Sequence, residues 1–189
     1  LRARDRRAEK QKQLIQEYAL PLVSYTINIP GAIKSSPLYI RIFEEGLVLL
    51  GQGLSAKGVT VIFGEAHYRF TGPEAFIVAD RSELALKKLV LQLEDSHQLG
   101  RIFDFDVLGL DFQPISREML GYPQRRCLLC DDLAQVCARS RRHPVDKLKD
   151  KICSMSQNYF KHSGYLKPTN ALYPGILKYF RDKNTRGVP

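Results

Sequence analysis

Two hydrophobic periods alternate between residues 22 and 108, and their order limits what this chain can fold into more than any other feature of its sequence. From Leu22 to Ile29 apolar residues recur at every second position, with Val23, Tyr25, Ile27 and Ile29 on one side and Ser24, Thr26 and Asn28 on the other, the pattern of a half-buried strand. Pro30-Gly31 ends the run. Between Pro37 and Ala56 the period becomes helical, since Phe43, Leu47, Leu50 and Leu54 fall at i, i+4, i+7 and i+11 on one stripe,. A second strand is expected over Val59 to Phe63, a turn at Thr71-Gly72-Pro73-Glu74, and a third strand over Ala75 to Asp80,. Ser82 can cap a helix running to about Ser96, with Leu86, Leu89, Val90, Leu93 and His97 on one stripe,. Leu99-Gly100 stops it, and a last strand, Arg101 to Leu108, turns Phe103, Phe105 and Val107 one way and Asp104 and Asp106 the other.

The order strand, helix, strand, strand, helix, strand predicts an α+β fold: a four-stranded, mainly antiparallel ferredoxin-like (βαββαβ) sheet, two helices on one face, the first and fourth strands neighbours. A polar N-terminal helix precedes it from residue 2 to about 18, a stretch without Gly or Pro,. Beyond residue 110 the chain becomes helical and basic, with helices expected at Asp131 to Arg141 and Pro144 to Phe160 and a short one near Ile176 to Arg181. Residues 1–155 are read as one domain, with its core at 22–108 and a basic helical part at 117–155; residues 156–189 are read as an extension.

Composition narrows the class. With 44% hydrophobic and 26% charged residues, the chain is neither disordered nor collagen-like nor a membrane bundle. Its longest purely aliphatic run, Leu47 to Leu50, is far short of the roughly 18 apolar residues of a membrane span. Four cysteines, no Asn-x-Ser/Thr acceptor and no secretory signal point to a reducing cytoplasm. The charge is one-sided: residues 1–116 hold 14 Lys+Arg against 14 Asp+Glu, residues 117–189 hold 15 against 6, so the whole net charge of +9 is C-terminal. Such a field draws polyanions: nucleic acid, a phosphorylated cofactor or an acidic protein.

Asp104 and Asp106 are the sharpest chemical feature. On a strand, residues i and i+2 project from one face about 6.6 Å apart, and two carboxylates so placed can hold Mg²⁺ against substrate phosphates. A solvated strand face is the plainer alternative. With the first strand beside the fourth, Ser24, Thr26 and Asn28 share that open face. His97 can take a proton from a hydroxyl nucleophile or pack at its helix end, and Arg101 can bind phosphate. Glu94 and Asp95 read as solvated charges. Cys127, Cys130, Cys137 and His143 could close a tetrahedral zinc site. Their spacing of six and five residues after the Cys-x2-Cys pair matches no common finger, and Cys130 and Cys137 share a helix face, so the thiols are expected to pack without stoichiometric zinc. Arg125, Arg126, Arg139, Arg141 and Arg142 surround them, which suits a triphosphate or pyrophosphate.

Several stretches carry a family resemblance: Ala3 to Gln11, Pro21-Leu22-Val23-Ser24, Ile29-Pro30-Gly31, Leu93 to Val107 with its Gly-Arg-x-x-Asp-x-Asp-Val motif from Gly100, and Arg126-Cys127-Leu128-Leu129-Cys130 through Cys137-Ala138-Arg139 to His143. Over residues 2 to about 153 the chain resembles the apo-citrate lyase phosphoribosyl-dephospho-CoA transferase family. The resemblance implies a nucleotidyltransferase that moves the prosthetic group from triphosphoribosyl-dephospho-CoA to a serine of the apo acyl carrier subunit of citrate lyase and releases diphosphate. It further implies that Asp104 and Asp106 hold Mg²⁺, that Arg101 and Arg126 grip the triphosphate, that Gly100, Ser24 and Arg139 belong to the substrate site, and that His97 deprotonates the serine. The basic half would dock the carrier. Two other classes remain open, an RNA-binding module and a zinc-stabilised assembly protein. RNA-binding sheets of this kind stack bases on exposed strand aromatics, whereas Phe103 and Phe105 are expected to point into the core.

Overall fold

The structure, a computed structural model, describes residues 2–162. Its elements are α1 (Arg2–Tyr18), β1 (Leu22–Ile27), α2 (Pro37–Ala56), β2 (Thr60–Arg69), β3 (Gly72–Asp80), α3 (Glu83–Ser96), β4 (Phe103–Leu108), a single 3₁₀ turn (Glu118–Leu120), α4 (Ala134–Ser140) and α5 (Val145–His162). The helix expected near Ile176 to Arg181 lies outside the described residues. So does most of the 156–189 extension. The expected boundary at 155 falls inside α5, which continues unbroken to His162.

The four strands form one wholly antiparallel sheet in the order β2-β3-β1-β4. As the alternating pattern predicts, β1 lies beside β4, pairing Thr26 with Asp104 and Ser24 with Asp106. The β2–β3 hairpin is longer than expected. Gly72 turns the chain at φ 113, a conformation natural to glycine, so pairing reaches Arg69 and Gly72. Pro73 is tolerated as the second residue of β3, next to the turn.

Helix α2 starts where Ser36 accepts a hydrogen bond from Tyr39 N at 3.2 Å and Pro37 takes the first turn,. Its stripe of Phe43, Leu47, Leu50 and Leu54 packs with Leu86, Leu89 and Val90 of α3 on Val23, Tyr25, Ile77, Phe103, Phe105 and Val107. Both helices therefore cover one sheet face, as expected, and Ile152, Met155, Tyr159 and Phe160 of α5 close its end. The opposite face is not open, which corrects the sequence reading. Leu14 and Ile15 of α1 pack on Leu22, Phe76, Val78 and Leu108 there, leaving only the far ends of the strands polar. Among the described residues no helix is long and apolar enough to cross a membrane.

Candidate active site

β4 is an edge strand, and α3 closes its outer side with two buried charges. Phe105 N donates to Glu94 Oε1 at 3.1 Å, and the Phe105 carbonyl accepts from Lys87 Nζ at 3.2 Å. Ile115 N adds a bond to the Val107 carbonyl at 2.8 Å. Charges this deep are costly unless bonded; here they satisfy strand groups that would otherwise template pairing with another chain. Burial lowers the Lys87 ammonium from its ordinary value, opposed by the carboxylates of Asp106 and Glu94. Burial likewise raises Glu94, opposed by Arg125.

Glu94 is the centre of a charged network, not the solvated charge expected from sequence. Its side chain is 3% exposed and takes Arg125 Nη2 at 2.5 Å and Arg117 Nη2 at 3.4 Å. Arg117 also reaches Asp95 at 2.7 Å. Arg125 extends the network onto β4, with Nη1 3.1 Å from Asp104 Oδ1. A signal for Glu94 existed: it follows Leu86 and Val90 at i+4 steps, on the buried stripe,.

Asp104 and Asp106 project together from the α1 side of β4, with Thr26 and Ser24 of β1 opposite them. Asp106 reaches solvent, yet the atoms crowded around it and the like charge of Asp104 push its carboxyl above the ordinary value, against the pull of Lys87, Arg125 and Arg7. Ser24 is 3% exposed and its hydroxyl accepts from Gln11 Nε2 at 2.9 Å. Arg7, one turn earlier on α1, pairs with Glu74 of β3 at 2.9 Å. Helix α1 thus walls the carboxylates, a role its polar sequence did not announce. Two solvent-touching carboxylates on one strand face form a hard oxygen pair of the kind Mg²⁺ takes,.

A cavity of about 550 Å³ opens between the start of β4 and the segment leading into α5, and its wall includes Arg101, Ile102, Cys127, Cys137, Arg141 and His143. Arg101 makes no ion pair among the described residues. Burial and then the charges of Arg125 and Arg117 lower its guanidinium from the ordinary value, so a phosphate there would relieve repulsion. Arg126 is exposed and donates to the Asp131 carbonyl at 2.6 Å, while Arg139 is exposed on α4. Gly100 has a packing reason for its place: a Cβ there would meet the Glu94 carbonyl oxygen at 1.8 Å.

His97 stands apart from the carboxylates. Its ring packs 5.2 Å from Phe103, on the helix-covered face. Nδ1 accepts from Leu99 N at 3.0 Å, which leaves the proton of the neutral ring on Nε2, 3.1 Å from Tyr159 Oη,. Tyr159 in turn donates to Glu45 Oε1 at 2.5 Å. The cysteines also differ from expectation. Helix α4 begins only at Ala134, so Cys130 lies in the preceding turn and shares no helix face with Cys137. One ligand atom from each of Cys127, Cys130, Cys137 and His143 lies within 4.8 Å of all the others.

Comparison with known proteins bears on this arrangement as a whole. The family model for apo-citrate lyase phosphoribosyl-dephospho-CoA transferase matches residues 1–159. A Vibrio cholerae serotype O1 (strain M66-2) protein called a probable apo-citrate lyase phosphoribosyl-dephospho-CoA transferase is 38% identical over 154 residues, covering 81% of this chain and 86% of its own. Transferases of the same name from Shigella boydii serotype 18 and Escherichia coli O157:H7 are 36% identical over 150 residues, covering 79% of this chain and 82% of theirs. The chain is therefore an enzyme of the transferase type and belongs to the apo-citrate lyase phosphoribosyl-dephospho-CoA transferase family.

Proposed function

We propose that this enzyme takes triphosphoribosyl-dephospho-CoA and joins its phosphoribosyl-dephospho-CoA part to a serine of the apo acyl carrier subunit of citrate lyase, releasing diphosphate. Family membership supports the substrate class. The observation that carries the chemistry is the placement of Asp104 and Asp106 on one face of an edge strand, where Arg125 braces Asp104.

The serine oxygen would attack the phosphorus that becomes the new phosphodiester, the bond from that phosphorus to the departing diphosphate would break, and the serine proton would pass to a base. Such a displacement asks the protein mainly to position groups and offset charge. Asp104 and Asp106 are the residues that would hold Mg²⁺, which when bound would neutralise phosphate oxygens as diphosphate leaves. Arg125 keeps Asp104 oriented. Arg101, in the cavity wall, would bind phosphate, with Arg126 and Arg139 as further cations of the substrate site and Gly100 and Ser24 as its remaining members,. We read His97 as a joint between α2, α3 and α5 and assign it no base role, because both ring nitrogens are already engaged.

We read the strand order as two interleaved split βαβ units, the ferredoxin-like arrangement. Four free thiols suit a reducing cytoplasm. The test is direct: incubate the protein with apo-carrier, triphosphoribosyl-dephospho-CoA and Mg²⁺, then weigh the carrier. A gain equal to the phosphoribosyl-dephospho-CoA group is expected, and an unchanged carrier would overturn the reading.

A further inference from the structure

We infer that Cys127, Cys130, Cys137 and His143 bind one Zn²⁺ in a closed, structural site that fastens the segment between β4 and α5. Three thiols and an imidazole are a soft donor set suited to zinc, and four protein ligands leave no open coordination position, which marks structural rather than catalytic zinc sites.

The geometry is close to that of an occupied site. Cys130 Sγ lies 3.6 Å from Cys137 Sγ and 3.2 Å from His143 Nε2, against ligand-to-ligand edges of about 3.5 to 3.8 Å for tetrahedral zinc with Zn–S near 2.3 Å. The backbone is already shaped around it. Arg126 and Leu133 bridge across a small hairpin, Cys127 N donates to the Asp132 carbonyl at 2.7 Å, and Leu129 N points at Cys127 Sγ at 3.5 Å, where an N–H stabilises thiolate. Helix α4 then delivers Cys137, and the turn after it delivers His143.

A second observation explains why a metal is needed here. Between residues 109 and 145 the only buried apolar side chains are Ile115 and Cys137, and the regular structure consists of one 3₁₀ turn and the seven residues of α4. So little core leaves the segment held mainly by the ion pairs of Arg117 and Arg125 with Glu94, and small units of this kind are usually fastened further by a cross-link or a metal. Three thiolates around Zn²⁺ leave a net charge of −1, and the neighbouring arginines offset it: Arg126 precedes Cys127 and Arg142 precedes His143, and Arg142 N donates to the Cys137 carbonyl at 3.1 Å. The site also has a reach. Arg125, which holds Asp104, is two residues before Cys127.

The experiment uses the full chain purified without chelator. Elemental analysis should find one zinc per chain, and replacement by Co²⁺ should give the intense d–d bands and thiolate charge-transfer band of tetrahedral sulfur coordination. Cys130→Ser and Cys137→Ser should each lose stoichiometric metal, whereas Cys153→Ser, outside the cluster, should keep it. In case those variants fold poorly, the wild type supplies the same answer: a chelator should release zinc, expose three more titratable thiols and open residues 117–145 to protease. No zinc above the buffer blank, a Cys127–Cys130 disulfide in its place, an octahedral cobalt spectrum, or equal metal loss in Cys153→Ser would each overturn the assignment.

Discussion

Arg125 Nη2 lies 2.5 Å from Glu94 Oε1, joining residues 31 apart in sequence and tying the irregular segment after β4 to the buried end of α3. Removing one partner of such a pair leaves the other as an uncompensated charge, which costs about 3 to 5 kcal/mol. Arg125→Ala should therefore destabilise more than Glu94→Gln, since a glutamine can still accept from Phe105 N. Urea unfolding of both variants measures the order; a smaller loss for Arg125→Ala would mean that Arg117 alone neutralises Glu94.

Asp104→Asn and Asp106→Asn should each abolish transfer to the carrier while leaving the unfolding midpoint near that of the wild type. A neutral amide binds Mg²⁺ weakly and cannot hold it against phosphate. Both side chains touch solvent, and Arg125 keeps its bond to Glu94 when Asp104 is neutral, so little stability should be lost,. Turnover at the wild-type rate in either variant would remove the metal role, and loss of folding would make the pair structural.

Gly100→Ala should cost at least about 1 to 3 kcal/mol, the usual range for overpacking. The new methyl would meet backbone, the Glu94 carbonyl oxygen at 1.8 Å, and backbone cannot swing aside as a side chain can. The strain should also reach the Glu94–Arg125 pair. A thermal midpoint equal to that of the wild type would show that the turn from α3 into β4 relaxes freely.

Much of this architecture is readable from hydrophobic period alone. The helices over 37–56 and near 83–96, the four strands and the β1–β4 pairing follow from where the period changes, because each apolar stripe must be buried against another. The Asp104–Asp106 face is readable for the same reason. What covers that face is not: α1 looks polar throughout, and only Leu14 and Ile15 are buried, too short a stripe to announce a docking helix. The partners of the carboxylates are equally hidden. Arg125, Arg117 and Glu94 meet across long sequence separations, and spacing carries no information about such contacts. The cysteine cluster fails in the opposite way, since its spacing is uncommon and only the hairpin before α4 brings the four ligands together.

Glu45 gives the fold a predictable acid sensitivity. Burial alone would raise its carboxyl, but the neighbouring His97 ring, the hydrogen bond from Tyr159 and the charge of Arg41 bring it below the ordinary value; Tyr25 of β1 also feels its charge. A carboxyl depressed in the folded state adds stability that is present above the ordinary carboxylate range and is lost as pH falls through its folded value. The stability gap between wild type and Glu45→Gln should therefore be widest near neutrality and close in acid. A gap independent of pH would place the effect in packing.

Docking of the carrier should be electrostatically steered. The entire net charge of +9 lies beyond residue 116, and a carrier of acidic surface would be drawn to that half. Arg142 is committed to Asp132 at 2.7 Å and Arg141 lines the cavity, so neither reports docking cleanly. Lys147 and Lys151 do: both are exposed on α5, four residues apart on one helix face. Lys147→Glu and Lys151→Glu together should raise KM for the carrier and spare KM for triphosphoribosyl-dephospho-CoA, whereas Arg101→Ala should do the reverse. Raising salt shortens the Debye length from about 10 Å at 0.1 M to about 3 Å at 1 M, so kcat/KM for the carrier should fall with salt while single-turnover chemistry on the bound complex holds. If the lysine changes move only the donor KM, the basic half is a phosphate site, and the carrier must dock elsewhere, with the exposed side of α1 around Arg4 and Arg6 the next surface to reverse.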